Sequence, residues 1–171
     1  MKSILDVDTG EVKTGLKDTV LKSNAIGSCV VIVAYDATKQ AGALAHVMVP
    51  GAAPERLKSH HTRFAKDAIE EIINRMTQLG AKKERMKISL IGGANVLKRE
   101  NDTIGLENLS YIEKLLTENG LEISGKAVGG TLRRTVKFDI EKGVVYYTEG
   151  DSHEMLLWEK TAEKSRKNES L

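Results

Sequence analysis

Two apolar runs on either side of a short polar segment constrain the fold of this chain most strongly. The first run is Val30-Val31-Ile32-Val33-Ala34-Tyr35, and the second extends from Ala41 to Val49. Between them lies Asp36-Ala37-Thr38-Lys39, and aspartate favours the first position of a type I turn. The pattern predicts an antiparallel β-hairpin with these four residues as its loop.

The predicted hairpin would bring a thiol close to an imidazole. A loop over residues 36–39 pairs Tyr35 with Gln40 and places Cys29, the single cysteine of the chain, directly opposite His46. Directly opposed side chains have Cβ atoms ~4.5–5.5 Å apart. A slip of one residue would send the two groups to opposite faces, so the register is a testable prediction.

A thiol and an imidazole are the minimum for cysteine nucleophilic catalysis, because the imidazole can take the thiol proton. If His46 lowers the pKa of Cys29, iodoacetamide should label Cys29 faster than a model thiol near neutral pH. Two other interpretations remain open from the residues alone. The first is that both residues are structural: a free cysteine is most often a small buried hydrophobe, and a lone histidine on an apolar strand is most often a core residue. A redox sensor is the second alternative, although the chain has no resolving cysteine.

Composition argues against several classes of protein. The net charge of +2 is too small to indicate nucleic-acid binding. No apolar run approaches the ~18–20 residues that a membrane span requires, and Asp6 interrupts the stretch where a signal peptide would be apolar. No pair of cysteines or histidines has the spacing of a metal site. We therefore expect a cytoplasmic protein without disulfide, metal, cofactor or membrane insertion.

The order of the predicted elements indicates an α+β fold in one domain. Amphipathic helices are predicted over residues 61–79 and 105–119, with strands before, between and after them. This order lacks the regular βαβ alternation of a doubly wound sheet, so we expect mixed β-sheets with two main helices packed outside. The inward face of the second helix is predicted to carry Leu106, Leu109, Ile112, Leu115 and Leu116. We expect the domain to span residues 1–158, followed by a disordered charged tail over 159–171.

Five short segments, in order along the chain, resemble one known family. They are Ile26-Gly27-Ser28-Cys29-Val30, the run from Gly42 to Pro50, Ile91-Gly92-Gly93-Ala94, Ile104-Gly105-Leu106-Glu107-Asn108, and Gly129-Gly130 with Arg134. Together they resemble the CheD family of chemoreceptor glutamine deamidases, which carry a GSCV turn and an AHxMLP-like strand. The likeness covers about residues 15–148.

The resemblance implies a sandwich-like core related to the catalytic domains of deamidating toxins. It also implies a protein-glutamine deamidase whose substrates are chemoreceptors, with some members also hydrolysing the receptor methyl ester. Cys29 would be the nucleophile and His46 its base. The family pattern has a threonine six positions before the cysteine, where this chain has Ser23, so the resemblance assigns Ser23 to orienting the imidazole.

Other matched positions would shape the site. Gly27 and Ser28 belong to the nucleophile turn, and the pairs Gly92-Gly93 and Gly129-Gly130 are either tight turns or points of close approach. Asn108 and Arg134 could contact substrate or make structural hydrogen bonds, and the residues leave both roles open. A CheC-type phosphatase is an implied partner, so the alternative function is a mainly non-catalytic chemotaxis regulator.

Overall fold

Ten β-strands and two α-helices form the part of the chain that the structure, a computed structural model, describes: residues 2–161. The strands are β1 (Ser3–Asp6), β2 (Val12–Gly15), β3 (Thr19–Ile26), β4 (Val30–Asp36), β5 (Ala41–Val47), β6 (Lys87–Gly92), β7 (Glu122–Val128), β8 (Arg134–Asp139), β9 (Val144–Glu149) and β10 (Met155–Glu159). The helices are α1 (Ala65–Gln78) and α2 (Ile104–Glu118), with 3-10 segments at Glu55–Arg63 and Lys83–Arg85.

The strands form two five-stranded sheets that stack face to face. The outer sheet has the order β1-β3-β8-β9-β10, and the central sheet has the order β2-β5-β4-β6-β7. Each sheet is mixed, since β1 pairs with β3 in parallel and β6 pairs with β7 in parallel among otherwise antiparallel pairs. The two helices cover the other face of the central sheet. The predicted α+β class, with mixed sheets in a sandwich-like core and two helices outside, is confirmed.

Alternation along β4 divides the apolar residues between two cores. Val30 and Ile32 face the helices, whereas Val31 and Val33 face the outer sheet. All seven residues of β4 are buried, which explains why the strand reads as a continuous apolar run. Each fully buried side chain of this size contributes about 1.5–3 kcal/mol of transfer free energy. The strand therefore holds both layers together at the point where the chain leaves the Cys29 turn.

The predicted register of the hairpin is wrong by two positions. The structure pairs Tyr35 with Gly42 and Val31 with His46, so the loop covers residues 37–40 and Cys29 is not directly opposite His46. The reason is Asp36, which ends β4 with a fully buried carboxylate. Burial alone would raise the pKa of Asp36, but hydrogen bonds from Arg85 and from the backbone N–H of Lys82 lower it below its ordinary value. These long-range contacts keep Asp36 in the strand.

Most of the predicted inward face of the second helix is confirmed, since Ile112 and Leu116 are buried and Leu109 and Leu115 are partly buried and pack against the core. The buried residues of this helix are Gly105, Asn108, Ile112 and Leu116. Leu106 is instead 59% exposed. The prediction followed the leucines, but a Cβ on Gly105 would lie 2.5 Å from Gly93 O. The glycine thus lets the helix backbone approach the central sheet closely, and that approach sets which face is buried.

Both ends of the described chain contain strands that the sequence pattern does not delimit. Residues 1–18 contain β1 and β2, and the four residues of β1 are exposed, so no alternation marks that strand in the sequence. Glu159 still belongs to β10, and the N–H of Lys160 donates to Gly143 O, so ordered chain continues past the predicted boundary at 158. The remainder of the predicted tail, from residue 162, lies outside the described residues. Within residues 2–161, no helix is long and apolar enough to span a membrane.

Candidate active site at the Cys29 turn

Cys29 lies in a bend over residues 27–29 that joins β3 to β4, and it is partly exposed. Two backbone hydrogen bonds hold this bend against the end of β6. The N–H of Gly93 donates to Cys29 O at 2.8 Å, and the N–H of Ala94 donates to Gly27 O at 3.0 Å. Backbone hydrogen bonds therefore hold the bend against the end of β6.

A cleft of about 450 Å³ opens beside the thiol. Its lining combines the predicted turn with the end of β3 and two loops, and it consists of Ala25, Gly27, Ser28, Cys29, Ala94, Val96, Leu97, Asp102 and Arg133. Leu97 is 63% exposed, so an apolar side chain stands at the opening. Sequence reasoning missed Ala94, Val96, Leu97, Asp102 and Arg133 as lining residues. The one available signal was that most of them follow closely after the Gly92-Gly93 or Gly129-Gly130 pair.

His46 is 1% exposed and is not among the residues that line this cleft. Ser23 Oγ is 2.8 Å from His46 Nδ1 and donates a hydrogen bond to Val7 O at 2.6 Å. A carbonyl oxygen can only accept, so the single hydroxyl proton of Ser23 points to Val7 and its oxygen must accept from His46. The neutral imidazole therefore carries its proton on Nδ1, which leaves Nε2 with a free lone pair.

The strand register does not place Cys29 directly opposite His46. Extended by one residue beyond the Val30–Val47 pair, the register places Cys29 opposite Met48, two positions from His46. Positions two apart on a strand share a face, so a continuation of this register would keep both groups on the side that faces the outer sheet. Diagonal neighbours in such a register are ~7–8 Å apart, within reach of long and aromatic side chains. Within the described part of the chain, His46 Nε2 has no hydrogen-bond partner.

Burial determines the protonation of both groups. It raises the pKa of the Cys29 thiol, an effect that the backbone N–H of Cys29 itself partly opposes. It lowers the pKa of His46, which the charge of Asp8 partly opposes. Both shifts favour the uncharged forms, the thiol of Cys29 and the imidazole of His46, whereas the sequence led us to expect a lowered pKa for Cys29. Iodoacetamide should accordingly label Cys29 more slowly than a model thiol near neutral pH.

Comparison with known proteins decides the family. The family model described as "CheD chemotactic sensory transduction" matches residues 48–149. A protein of Chlorobium luteolum named "probable chemoreceptor glutamine deamidase CheD" is 37% identical over 151 residues, which cover 88% of this chain and 75% of that protein. This chain belongs to the CheD family.

Other relatives carry the same description. The CheD protein of Methanosarcina acetivorans, named "probable chemoreceptor glutamine deamidase CheD 2", is 33% identical over 90% of this chain and 68% of its own length. The "chemoreceptor glutamine deamidase CheD" of Thermotoga maritima is 29% identical over 84% of this chain and 88% of its own length. The family match begins after His46, whereas the alignments to these relatives cover most of the chain.

The CheD glycine pairs bring backbone segments together behind the thiol. Gly92 has φ +121, and a Cβ there would lie 2.2 Å from Cys29 O, so no larger residue fits against the turn. The N–H of Gly129 donates to Gly92 O, which links the second pair to the first. At Gly92 the structure therefore shows a close approach of two backbone segments, which is one of the two roles that the sequence left open for these glycines. Gly130 has φ +69 and lies in the same turn as Gly129.

Arg134 ties the same region to the outer sheet. Its guanidinium donates to Gly92 O at 3.3 Å and to Gly129 O at 2.9 Å, and it pairs with Glu149 at 3.0 Å. The side chain of Arg134 is buried, so these contacts are structural hydrogen bonds behind the turn. Among residues 2–161, no group of three or more His, Cys, Asp or Glu side chains is placed to hold a metal ion.

Proposed function

We propose that this chain deamidates glutamine side chains of chemoreceptors, with Cys29 as nucleophile, His46 as general base and acid, and Ser23 as the residue that orients the imidazole. The names of its CheD relatives support the substrate and the reaction. The cleft beside Cys29 supports a substrate that enters as a single side chain. The chemistry of a thiol and an imidazole alone would serve an amide or an ester equally well.

The observation that carries the proposal is the hydrogen bond between Ser23 and His46. It fixes the tautomer in which Nε2 is the basic nitrogen, and Nε2 is the ring atom without a partner in the described residues. A general base must offer a free lone pair to the proton that it removes. The hydroxyl of Ser23 would supply this orientation in place of the family threonine, because its oxygen accepts from His46 and its proton is donated to Val7 O, and neither bond involves the threonine methyl group.

In the first step, the Cys29 sulfur forms a bond to the carboxamide carbon while its proton passes to His46 Nε2. The oxygen of the amide takes the negative charge, and backbone N–H groups at the turn, including that of Cys29, would stabilise it. His46 then returns the proton to the amide nitrogen. The carbon–nitrogen bond breaks, ammonia leaves, and a thioester remains on Cys29.

In the second step, water attacks the thioester carbon and gives a proton to His46 Nε2. The carbon–sulfur bond breaks, the proton returns to the sulfur, and the carboxylic acid that forms loses its own proton to water, so the product is glutamate with one more negative charge than the substrate. A glutamate methyl ester would form the same thioester and release methanol in place of ammonia. Receptor methylesterase activity is therefore a further reaction that this site could perform, and the two differ only in the leaving group.

A neutral resting pair is compatible with this route. Because the raised pKa of Cys29 and the lowered pKa of His46 disfavour a preformed thiolate–imidazolium pair, the proton moves during attack and not before it. The enzyme thereby avoids keeping a charge pair in a mostly buried site, where desolvation is costly. The low reactivity of the resting thiol also limits side reactions with other electrophiles.

The decisive experiment incubates the protein with a soluble chemoreceptor fragment and measures conversion of glutamine to glutamate by mass spectrometry. Cys29→Ala should abolish conversion, and Cys29→Ser should leave at most a trace, since serine is a poorer nucleophile without a stronger base. If Cys29→Ala converted glutamine at the wild-type rate, Cys29 would be ruled out as the nucleophile.

The alternative, a mainly non-catalytic regulator that binds a CheC-type phosphatase, predicts a different result. The wild-type protein would then leave receptor glutamines unchanged and would alter phosphatase activity, and Cys29→Ala would have the same effect on the phosphatase. Measurement of both activities with the same two proteins separates the two functions.

A further inference from the structure

We propose that Asn108 is a positioning residue that sets the separation between the Cys29 turn and the His46 strand. The proposal rests on the proposed function of the Cys29–His46 pair and adds to it the group that holds the two segments together. Asn108 lies in the second turn of α2, far from both residues in the sequence.

One nitrogen atom of Asn108 contacts both halves of the site. Nδ2 donates to Ser28 O at 3.1 Å and to Met48 O at 3.0 Å. Ser28 immediately precedes the nucleophile, and Met48 is the residue that the register places opposite Cys29, two positions after His46. Because both partners are carbonyls, the amide must present its NH₂ group, and its two protons match the two acceptors.

Among the described residues, β4 and β5 have no backbone pairing between Cys29 and Met48. The hydrogen bonds of Asn108 are therefore what connects the two segments there. The ladder between β4 and β5 ends at the Val30–Val47 pair, and the N–H of Met48 turns away to donate to Arg63 O. The strands would be free to separate beyond this pair, and that is where Cys29 lies. The amide of Asn108 replaces the missing strand-to-strand contact with a side-chain bridge.

The bridge is rigidly supported. Gly105, one helical turn before Asn108, packs backbone to backbone on Gly93, whose N–H binds Cys29 O. Asn108 itself is 0% exposed and is not among the residues that line the cleft. Its position on a packed helix, and its burial, indicate that it acts on the spacing of the two segments and does not touch substrate.

The arrangement predicts an effect on kcat and little effect on KM. Removal of the bridge would let the thiol and the imidazole move relative to each other, and a misplacement of about 1 Å can lower a rate by about a hundredfold. Asn108→Ala should lower kcat for deamidation by about ten- to a hundredfold. Asn108→Asp, which keeps the volume but sets a carboxylate against two carbonyls, should be at least as impaired.

Asn119 provides the matched control. It caps the same helix, and its Nδ2 donates to Leu115 O at 2.8 Å, so Asn119→Ala also removes an amide hydrogen bond from α2. That bond has no connection to the site. Asn119→Ala should therefore lower Tm while kcat stays within about twofold of the wild type. If Asn108→Ala fails to fold, Asn108→Ser can be measured in its place. Serine offers one donor for the two acceptors, so we expect a smaller loss of kcat than in Asn108→Ala.

Alkylation of Cys29 by iodoacetamide supplies a readout that does not depend on deamidation. The rate is measured against pH for the wild type, His46→Ala and Asn108→Ala. If His46→Ala changes the profile and Asn108→Ala changes it in the same sense, the positioning role is supported. If His46→Ala changes the profile and Asn108→Ala does not, Asn108 does not position the pair. If His46→Ala leaves the profile unchanged, the proposed Cys–His pair itself fails. A rise in KM with unchanged kcat in Asn108→Ala would also overturn the proposal, because it would indicate substrate binding.

Discussion

Ser23 Oγ and His46 Nδ1 are 2.8 Å apart, and the bond between them joins the outer sheet to the central sheet at the candidate site. Ser23 lies on β3 and His46 on β5, so the contact spans the interior of the sandwich. Val7 O, which follows β1, accepts the serine proton at 2.6 Å and completes a chain of three groups. Both side chains are at least 98% buried, so water does not compete for these bonds. The tautomer of the imidazole is thus set by a contact between layers.

Substitution of Ser23 tests this chain of hydrogen bonds. Ser23→Ala leaves His46 Nδ1–H and Val7 O buried without partners, which should cost about 1–3 kcal/mol of unfolding free energy. It should also lower kcat by at least roughly tenfold, because Nε2 would no longer be fixed as the base. Ser23→Thr keeps the hydroxyl and should retain most of the activity. NMR of the imidazole nitrogens would read the tautomer directly, and an Nδ1–H tautomer with full activity in Ser23→Ala would contradict the assignment.

The pH dependence of deamidation should reflect the buried imidazole. Burial lowers the pKa of His46, so the acidic limb of kcat/KM should lie below the ordinary histidine value of about 6.5. Asp8 opposes this shift, and Asp8→Asn should therefore move the limb to still lower pH. Since the folded state binds this proton less readily than the unfolded chain, His46 also makes stability decline as pH falls below about 6.5.

Asp6→Asn is the control for Asp8→Asn. Asp6 lies two residues from Asp8, and both line the same pocket on the surface, but Asp6 does not contribute to the shift in the pKa of His46. The limb should keep its wild-type position in this variant. An equal shift in both variants would mean that general surface charge, and not Asp8 in particular, acts on the imidazole.

A comparison of substitutions at Gly92 and Gly129 distinguishes a need for space from a need for a left-handed backbone conformation. Both have positive φ, but a Cβ on Gly92 would lie 2.2 Å from Cys29 O, whereas no atom of the described residues lies within 4 Å of a Cβ on Gly129. Gly129→Ala should cost about 1–2 kcal/mol for the left-handed backbone alone. Gly92→Ala should cost clearly more and should reduce activity in any folded fraction, because it displaces the Cys29 turn. Chemical denaturation of both variants measures the difference, and equal losses would show that the close approach is not required.

Leu97 and Leu106 test where the receptor contacts the enzyme. The two leucines are similarly exposed, at 63% and 59%, but only Leu97 is among the residues that line the cleft with Cys29. Leu97→Ser should raise KM for a receptor fragment by several-fold to roughly tenfold, since an exposed apolar side chain at the site loses about 1–2 kcal/mol of contact. Leu106→Ser should leave KM unchanged. The opposite pattern would place the receptor on the outer face of α2.

Local patterns in the sequence were sufficient for much of the architecture. The two apolar runs predicted β4 and β5, and the 3.6-residue period predicted α1 and α2. These features depend on neighbours in the chain, so the sequence contains the information directly. The family could also be recognised from the sequence, because the segments around Cys29, Gly92 and Gly129 are specific even though they are short. Strand β1 was missed because an exposed edge strand carries no apolar alternation.

Only the tertiary structure decided the features that depend on distant contacts. Arg85 and Lys82 hold Asp36 in β4 and so shift the hairpin by two residues, and the packing of Gly105 on Gly93 turns Asn108 inward. The lowered pKa of His46 and the raised pKa of Cys29 follow from burial, which a linear pattern does not reveal. The sequence by itself determined which residues could react. Their spacing, protonation and access come from layers that meet only in the folded chain, because register, burial and hydrogen bonding are set by residues far apart in sequence.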